Sequence, residues 1–302
     1  MRTDRAIMNQ IARESSLLYE LSSEEIRLIK SLLIEMYNDI ADLCRKSGLA
    51  MMLIGGSALG AVRHKGFIPW DDDLDLCMPR TDYNKFVQLL ELGRLGDKYS
   101  FTVPSKENDT RNLFLKVYRK GTVFSEVLDS VMPFPKGVFI DIFPIENAPK
   151  SRLRRRVKGF LSDVLSFISV SVLYYQYPSD EYRKFMSSNK EAHARYRLRR
   201  VLGFTFSFMP HQKWAYLYDR FVQQEREEGY CTIPTGTRHY WGETLPTEIF
   251  FPMSKGRFEN VDVNLPNNAD AYLRNMYGDY MKVPPIEKRE RHFVYKFSIY
   301  QS

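Results

Sequence analysis

Four carboxylates crowd into five consecutive positions of this chain: Asp71, Asp72, Asp73 and Asp75, interrupted only by Leu74. Charges packed this closely repel one another, and a fold gains nothing from them unless a cation or a proton neutralises the group. From Asp73 onward the residues alternate as on a strand, Asp73 and Asp75 to one side, Leu74 and Leu76 to the other. Two carboxylates at that spacing can share a hard divalent cation, and Mg²⁺ favours a few carboxylates together with substrate phosphate oxygens. A calcium loop of the EF-hand kind needs a glycine and a distal glutamate at set offsets, and both are missing. Upstream, Gly55-Gly56-Ser57 closes the short apolar run Met51–Ile54. Two glycines let backbone approach a ligand closely, and Ser57 adds a hydroxyl. Arg63, His64 and Lys65 lie between the glycines and the aspartates, where a guanidinium or ammonium can neutralise phosphate oxygens.

These residues need elements to hold them. Met51–Ile54 reads as a buried strand, the glycines as a turn into a short helix, and Asp73–Met78 as the next strand. Before them, Ser22 and Glu25 form a capping box, and Ile26, Ile29, Leu33, Met36, Tyr37, Ile40 and Leu43 recur at helical spacing up to Gly48. A helix capped by Thr81 follows the aspartates, and Tyr99–Val103, Leu113–Tyr118 and Val138–Phe143 read as strands. Asp141 stands alone among apolar residues in the last of these, which is costly unless it is paired. Toward the end, Phe258–Pro266 alternates like a hairpin arm, and residues 268–277 form a helix closed by Gly278.

The string GGSALGAVRHKGFIPWDDDLDLCMPRTDYNKF, together with Gly137–Pro144 (GVFIDIFP) and Tyr277-Gly278-Asp279-Tyr280, resembles the LicD family. That family comprises phosphocholine transferases of bacterial surface glycans. It is related to the fukutin group and belongs to the nucleotidyltransferase superfamily. The resemblance covers residues 25–150 closely and 230–293 more loosely. It implies an α/β (α+β) nucleotidyltransferase-like core with a mixed sheet. It also implies transfer of phosphocholine from CDP-choline to a hydroxyl of a glycan precursor (teichoic acid, capsule or lipopolysaccharide), releasing CMP. On that reading Asp73, Asp75 and Asp141 are catalytic and hold Mg²⁺, with Mn²⁺ the alternative. Gly55, Gly56, Ser57, Arg63 and Lys65 bind substrate, and Asp71 and Asp72 reach the metal or brace the loop. Asp141 orients or deprotonates the acceptor. The residues themselves fit attack on either phosphorus, so nucleotidyl transfer to a sugar or small molecule stays open, as does a non-catalytic membrane-associated scaffold. His292 is a weaker site candidate.

Of 44 Lys/Arg and 37 Asp/Glu, residues 151–230 hold 15 and 8, leaving 29 of each elsewhere. The excess of positive charge therefore belongs to one block. There Arg152–Lys158 precedes the apolar Phe160–Val170, and Arg195–Arg200 precedes Val201–Met209. Basic followed by apolar and aromatic suits an anionic lipid surface. No zinc-finger spacing, RNP motif or helix-turn-helix is present, so nucleic acid is not the expected partner. Cys44, Cys77 and Cys231 are too scattered for a disulfide framework or a zinc site. The expected organisation is an N-terminal arm (1–21), a catalytic core (22–150), a helical basic insertion (151–230) and a section completing the core (231–302). The first residues lack an apolar signal core, and no run of eighteen apolar residues marks a transmembrane helix. A cytoplasmic enzyme, peripheral at the inner face of the membrane and acting on a lipid-linked glycan, is the expectation.

Overall fold

A computed structural model of the chain describes residues 11–12, 15, 18–107, 110–286, 289 and 292–299. Most of the expected N-terminal arm lies outside these residues. Helix α1 (Ser23–Ser47) starts at the capping box: Ser22 Oγ accepts the Glu25 N–H at 3.2 Å, and the Glu25 carboxylate accepts the Ser22 N–H at 2.8 Å. It stops at Gly48, whose φ of +65° turns the chain. Ile29, Leu33, Met36 and Ile40 are fully buried on the face that covers the sheet.

The main sheet sets β1 (Met52–Leu53), β2 (Asp75–Pro79), β6 (Phe139–Ala148), β4 (Leu115–Arg119) and β3 (Tyr99–Thr102) side by side in that order. Only β2 and β6 run parallel along this path; the remaining pairs are antiparallel, which makes the sheet mixed, as expected. Strand β6 is long enough to serve two neighbourhoods. Its first half sits between β2 and β4, and its second half pairs with β7 (Tyr230–Thr232), which in turn pairs with β8 (Leu245–Pro246). Its near-continuous apolar run follows from burial on both faces. Helix α2 (Gly55–Arg63) links β1 to the aspartates, and α3 (Arg80–Glu91) follows β2. Helix α3 begins ahead of Thr81, with Pro79 at its N-cap, and the Asp82 carboxylate instead accepts the Ala50 N–H at 2.9 Å.

Two further strand pairs lie outside the main sheet. β9 (Ser254–Phe258) pairs with β10 (Val261–Leu265) as a hairpin, and β5 (Thr122–Glu126) pairs with β11 (Val294–Ile299). The second pairing brings the chain's last described segment back to the core. Helix α8 (Ala269–Tyr277) runs from Asn268 to Gly278, as its spacing predicts.

Residues 152–222 form α4 (Arg152–Gln176), α5 (Asp180–Ser187), α6 (Lys190–Thr205) and α7 (His211–Val222). The basic and apolar stretches read separately in the sequence are one continuous helix in α4. By length and composition α4 passes for a membrane-crossing helix, which corrects the sequence reading; a third of its apolar window is nonetheless buried in the fold. Arg80 fastens this block to the core: its Nε donates to Glu146 on β6 at 2.7 Å, and its Nη2 donates to Asp219 on α7 at 2.8 Å.

Candidate active site

A cavity of about 480 Å³ opens where α2, the aspartate loop, the segment after α8 and the start of β11 meet. That volume falls within the range of small-molecule sites. Asp71, Asp73 and Asp75 line it together with Gly56 and Arg63. Leu74 and Leu76, both fully buried, anchor the alternation that aims the carboxylates outward.

Local backbone explains how the acids approach. Gly55 has φ +54°, and a Cβ there would lie 3.0 Å from Asp75 Oδ2; a Cβ on Gly56 would lie 3.0 Å from Asp71 Oδ2. The glycines therefore make room for the carboxylates. The Gly55 N–H is held by the Tyr272 hydroxyl at 3.0 Å. Ser57 is buried, and its Oγ accepts the Asp75 N–H at 2.8 Å, which fixes the start of β2.

One ligand atom each from Asp71, Asp72 and Asp73 fall within 4.8 Å of one another. Burial, then the charges of Asp73, Asp72 and Asp75, push the Asp71 carboxyl well above the ordinary carboxylate range. Burial, with Asp73 and Asp141 nearby, does the same to Asp75. An all-oxygen donor set whose members disfavour their own charge is what a bound metal ion relieves, so these residues fit one.

Asp141 lies directly behind the acids, and Asp73 and Asp75 feel its charge. It stands opposite Asp75 in the parallel β2–β6 register, yet it is buried and does not line the cavity. Its Oδ1 lies 3.0 Å from Lys116 Nζ, and that ammonium sits 3.3 Å from the centre of the Phe139 ring. Burial raises Asp141, and Lys116 only partly offsets it. Lys65 departs from the expectation. It sits at φ +60° with its carbonyl accepting the Glu259 N–H at 2.8 Å, and its exposed side chain is outside the cavity wall.

Other groups join the wall from distant parts of the chain. His292 Nδ1 is 2.8 Å from Asp72 Oδ1, and its Nε2 is 3.8 Å from Asp73 Oδ2. Burial alone would lower its pKa, but Asp72 and Asp73 hold it well above the ordinary value. Glu126 reaches the cavity and is paired with Arg111 at 2.6 Å, which overrides burial and keeps it ionised. Trp70 lines the cavity with the Arg289 guanidinium 4.2 Å over its ring. Tyr277, Asp279 and Tyr280 also line it, and Arg63 Nη1 donates to the Tyr280 carbonyl at 2.6 Å. The terminal Tyr-Gly-Asp-Tyr motif is thus part of the wall.

Residues 48–156 match the family model described as LicD/FKTN/FKRP, nucleotidyltransferase domain. That match takes in both Asp71–Asp75 and Asp141. A Haemophilus influenzae protein named lipopolysaccharide cholinephosphotransferase LicD is 25% identical over 262 residues, spanning 83% of this chain and 89% of its own. An uncharacterized Rickettsia typhi protein is 40% identical over 58 residues, 19% of either chain. One from Rickettsia prowazekii is 36% identical over 70 residues, 23% of this chain and 26% of its own. The chain is thus similar to the LicD family through residues 48–156 and, along most of its length, to one cholinephosphotransferase of that name.

Proposed function

We propose that this enzyme transfers phosphocholine from CDP-choline to a hydroxyl of a cell-surface glycan precursor. The observation that carries the reading is one cavity lined by Asp71, Asp73 and Asp75 together with Arg63, Lys282 and Arg289, in a chain aligned along most of its length with a cholinephosphotransferase. Acids that can hold a cation and guanidinium or ammonium groups in the same cavity suit a diphosphate donor.

In this reading the Asp71–Asp73 cluster, with Asp75 beside it at the start of β2, holds the divalent cation. When bound, Mg²⁺ neutralises phosphate oxygens and orients the leaving group. Arg63, Lys282 and Arg289 take up the remaining phosphate charge, and Trp70 and Tyr277 give the donor flat apolar surface. The acceptor oxygen forms a bond to the choline-bearing phosphorus, and that phosphorus releases its bridging oxygen as CMP. The acceptor proton goes to solvent or to a wall carboxylate. Asp141 acts as a positioning residue, its charge set behind Asp75 and balanced by Lys116. Gly55, Gly56 and Ser57 shape the wall that the acids occupy.

The test uses the purified full chain, CDP-choline and Mg²⁺, with and without a lipid-linked glycan fraction. CMP should form only with acceptor. Asp73→Asn should cut turnover by about a hundredfold or more while leaving the fold intact by circular dichroism. It should also abolish any thermal stabilisation by Mg²⁺. Inert CDP-choline, with cleavage of a nucleoside triphosphate to pyrophosphate, would replace this reading with nucleotidyl transfer.

A further inference from the structure

Helix α4 is turned inside out relative to an ordinary surface helix. Against the protein it buries Gly159, Ser162, Ser169 and Ser171, joined only near its C-terminal end by Val172 and Leu173, while Leu153, Val157, Phe160, Leu161, Val164 and Phe167 are exposed. Those six recur in steps of one, three and four, so they form one stripe along about four turns. A helix that turns serines inward and phenylalanines outward is placed for something other than water.

Helix α6 adds to the same kind of surface. It crosses α4 closely at Gly203, where a Cβ would meet the Ser171 carbonyl at 2.1 Å. Beyond that crossing Leu198, Val201 and Phe204 are exposed, and Phe208 just past the helix is the most open large apolar side chain among the described residues. Phe160, Phe204 and Phe208 are 68%, 65% and 77% exposed. Isolated exposed apolar residues are ordinary, but a run of them on two packed helices marks an interaction surface.

The charges decide the occupant. Helix α4 carries Arg152, Arg154, Arg155, Arg156 and Lys158 against a single acid, Asp163, which lies near His239. Helix α6 carries Arg195, Arg197, Arg199 and Arg200 against Glu191 alone. Arg152, Arg154, Arg197 and Arg200 have no ion-pair partner among the described residues. Two copies of this chain meeting through this face would set cation against cation. An anionic bilayer offers acyl chains to the phenylalanines and phosphates to the arginines at once. We propose that the outward face of α4 and α6 docks on an anionic lipid surface, lying in the interface rather than crossing the membrane.

The face is also one loop away from the cavity. Residues 233–242 leave β7, place Thr237 in the cavity wall, and return to pack Tyr240 and Trp241 on α4 at Gly159. Arg156 lies 5.6 Å from the Trp241 ring centre. Docking would hold the cavity beside the membrane, where an acceptor carried on a lipid is delivered.

The test is sedimentation of the full chain with vesicles, and it does not depend on the choline reading. Vesicles of phosphatidylglycerol and phosphatidylcholine are compared with vesicles of phosphatidylcholine alone, at low and high salt. Binding should need the anionic lipid and weaken with salt. Arg154→Gln with Arg197→Gln should weaken it about tenfold or more. Phe160→Ser with Phe204→Ser should do the same. Melting curves and light scattering on the same variants check that they fold and report their oligomeric state. Absence of binding at low salt overturns the proposal. So does binding that both double variants retain, and so does a dimer that the phenylalanine substitutions dissolve without any vesicle binding. Carbonate-resistant membrane insertion of the full chain would also overturn it, by making α4 a spanning helix.

Discussion

Glu243 offers a quantitative test of how the cavity's loop is held. Its carboxylate is buried behind the 233–242 loop and accepts the Arg238 N–H at 3.0 Å. Burial raises its pKa from the ordinary 4.5 to about 7, with the Arg238 N–H and guanidinium only partly opposing. A carboxyl whose folded pKa lies above its unfolded value binds more protons in the native state. Its stabilising effect is therefore complete below about pH 4.5 and is lost as pH rises toward 7. Each pH unit of that interval corresponds to about 1.4 kcal/mol, so the full effect is about 3 kcal/mol, and about 2.5 of it falls between pH 5 and pH 8.

Glu243→Gln keeps the shape and an acceptor for the Arg238 N–H but cannot ionise. Urea unfolding of the wild type and the variant near pH 5, 6, 7 and 8 isolates the one group, because every other titrating residue is common to both. The variant should gain on the wild type by about 2.5 kcal/mol across that range. Parallel stability curves would refute the assignment, showing that the carboxylate reaches solvent or a cation in solution.

Two other substitutions probe the acids. Gly55→Ala places a side chain at φ +54° and 3.0 Å from Asp75 Oδ2, so it should cost about 1–2 kcal/mol in thermal unfolding and lower turnover through the displaced carboxylate; unchanged stability would mean the turn relaxes freely. Lys116→Met leaves Asp141 buried without its cation and should cost about 3–5 kcal/mol by urea denaturation, whereas Lys116→Met with Asp141→Leu should recover most of that. Additive losses in the double variant would show that the two groups do not interact.

What the sequence made legible was local. The capping box, the stop at Gly48 and the alternation through Leu74 and Leu76 each depend on neighbours a few positions apart, and each appears where the spacing puts it. The aspartate cluster was legible because like charges at adjacent positions have no cheap structural use. Partners brought in by tertiary pairing left no such mark. His292 meets Asp72 across 220 positions, and it does so because β11 pairs with β5, a contact that no local period encodes. The Lys116–Asp141 pair follows from the β4–β6 register, which sets these two residues opposite each other. Lys65 shows the converse: nearness in sequence to Arg63 suggested a shared target, but Lys65 sits in a left-handed turn, exposed and outside the cavity wall that Arg63 lines.

Strand β6 connects the site to helices α4 and α7. Its first half carries Asp141 beside Asp75, and five positions later Glu146 is fully buried under Arg80. That one guanidinium also binds Asp219 of α7, which packs on α4 through Tyr218 and Ser162. Buried ion pairs add little net stability, because desolvation consumes most of their attraction. Their use here is placement. A planar guanidinium shared by two carboxylates fixes the angle and register of the insertion on the strand. An apolar contact of the same size would let α7 slide, and α4 with it. The acids in the cavity and the phenylalanines on the outer face are thus referred to the same ten-residue strand. A transfer enzyme needs that coupling if its acceptor is delivered from a surface, since the distance from bilayer to cavity must not vary between turnovers.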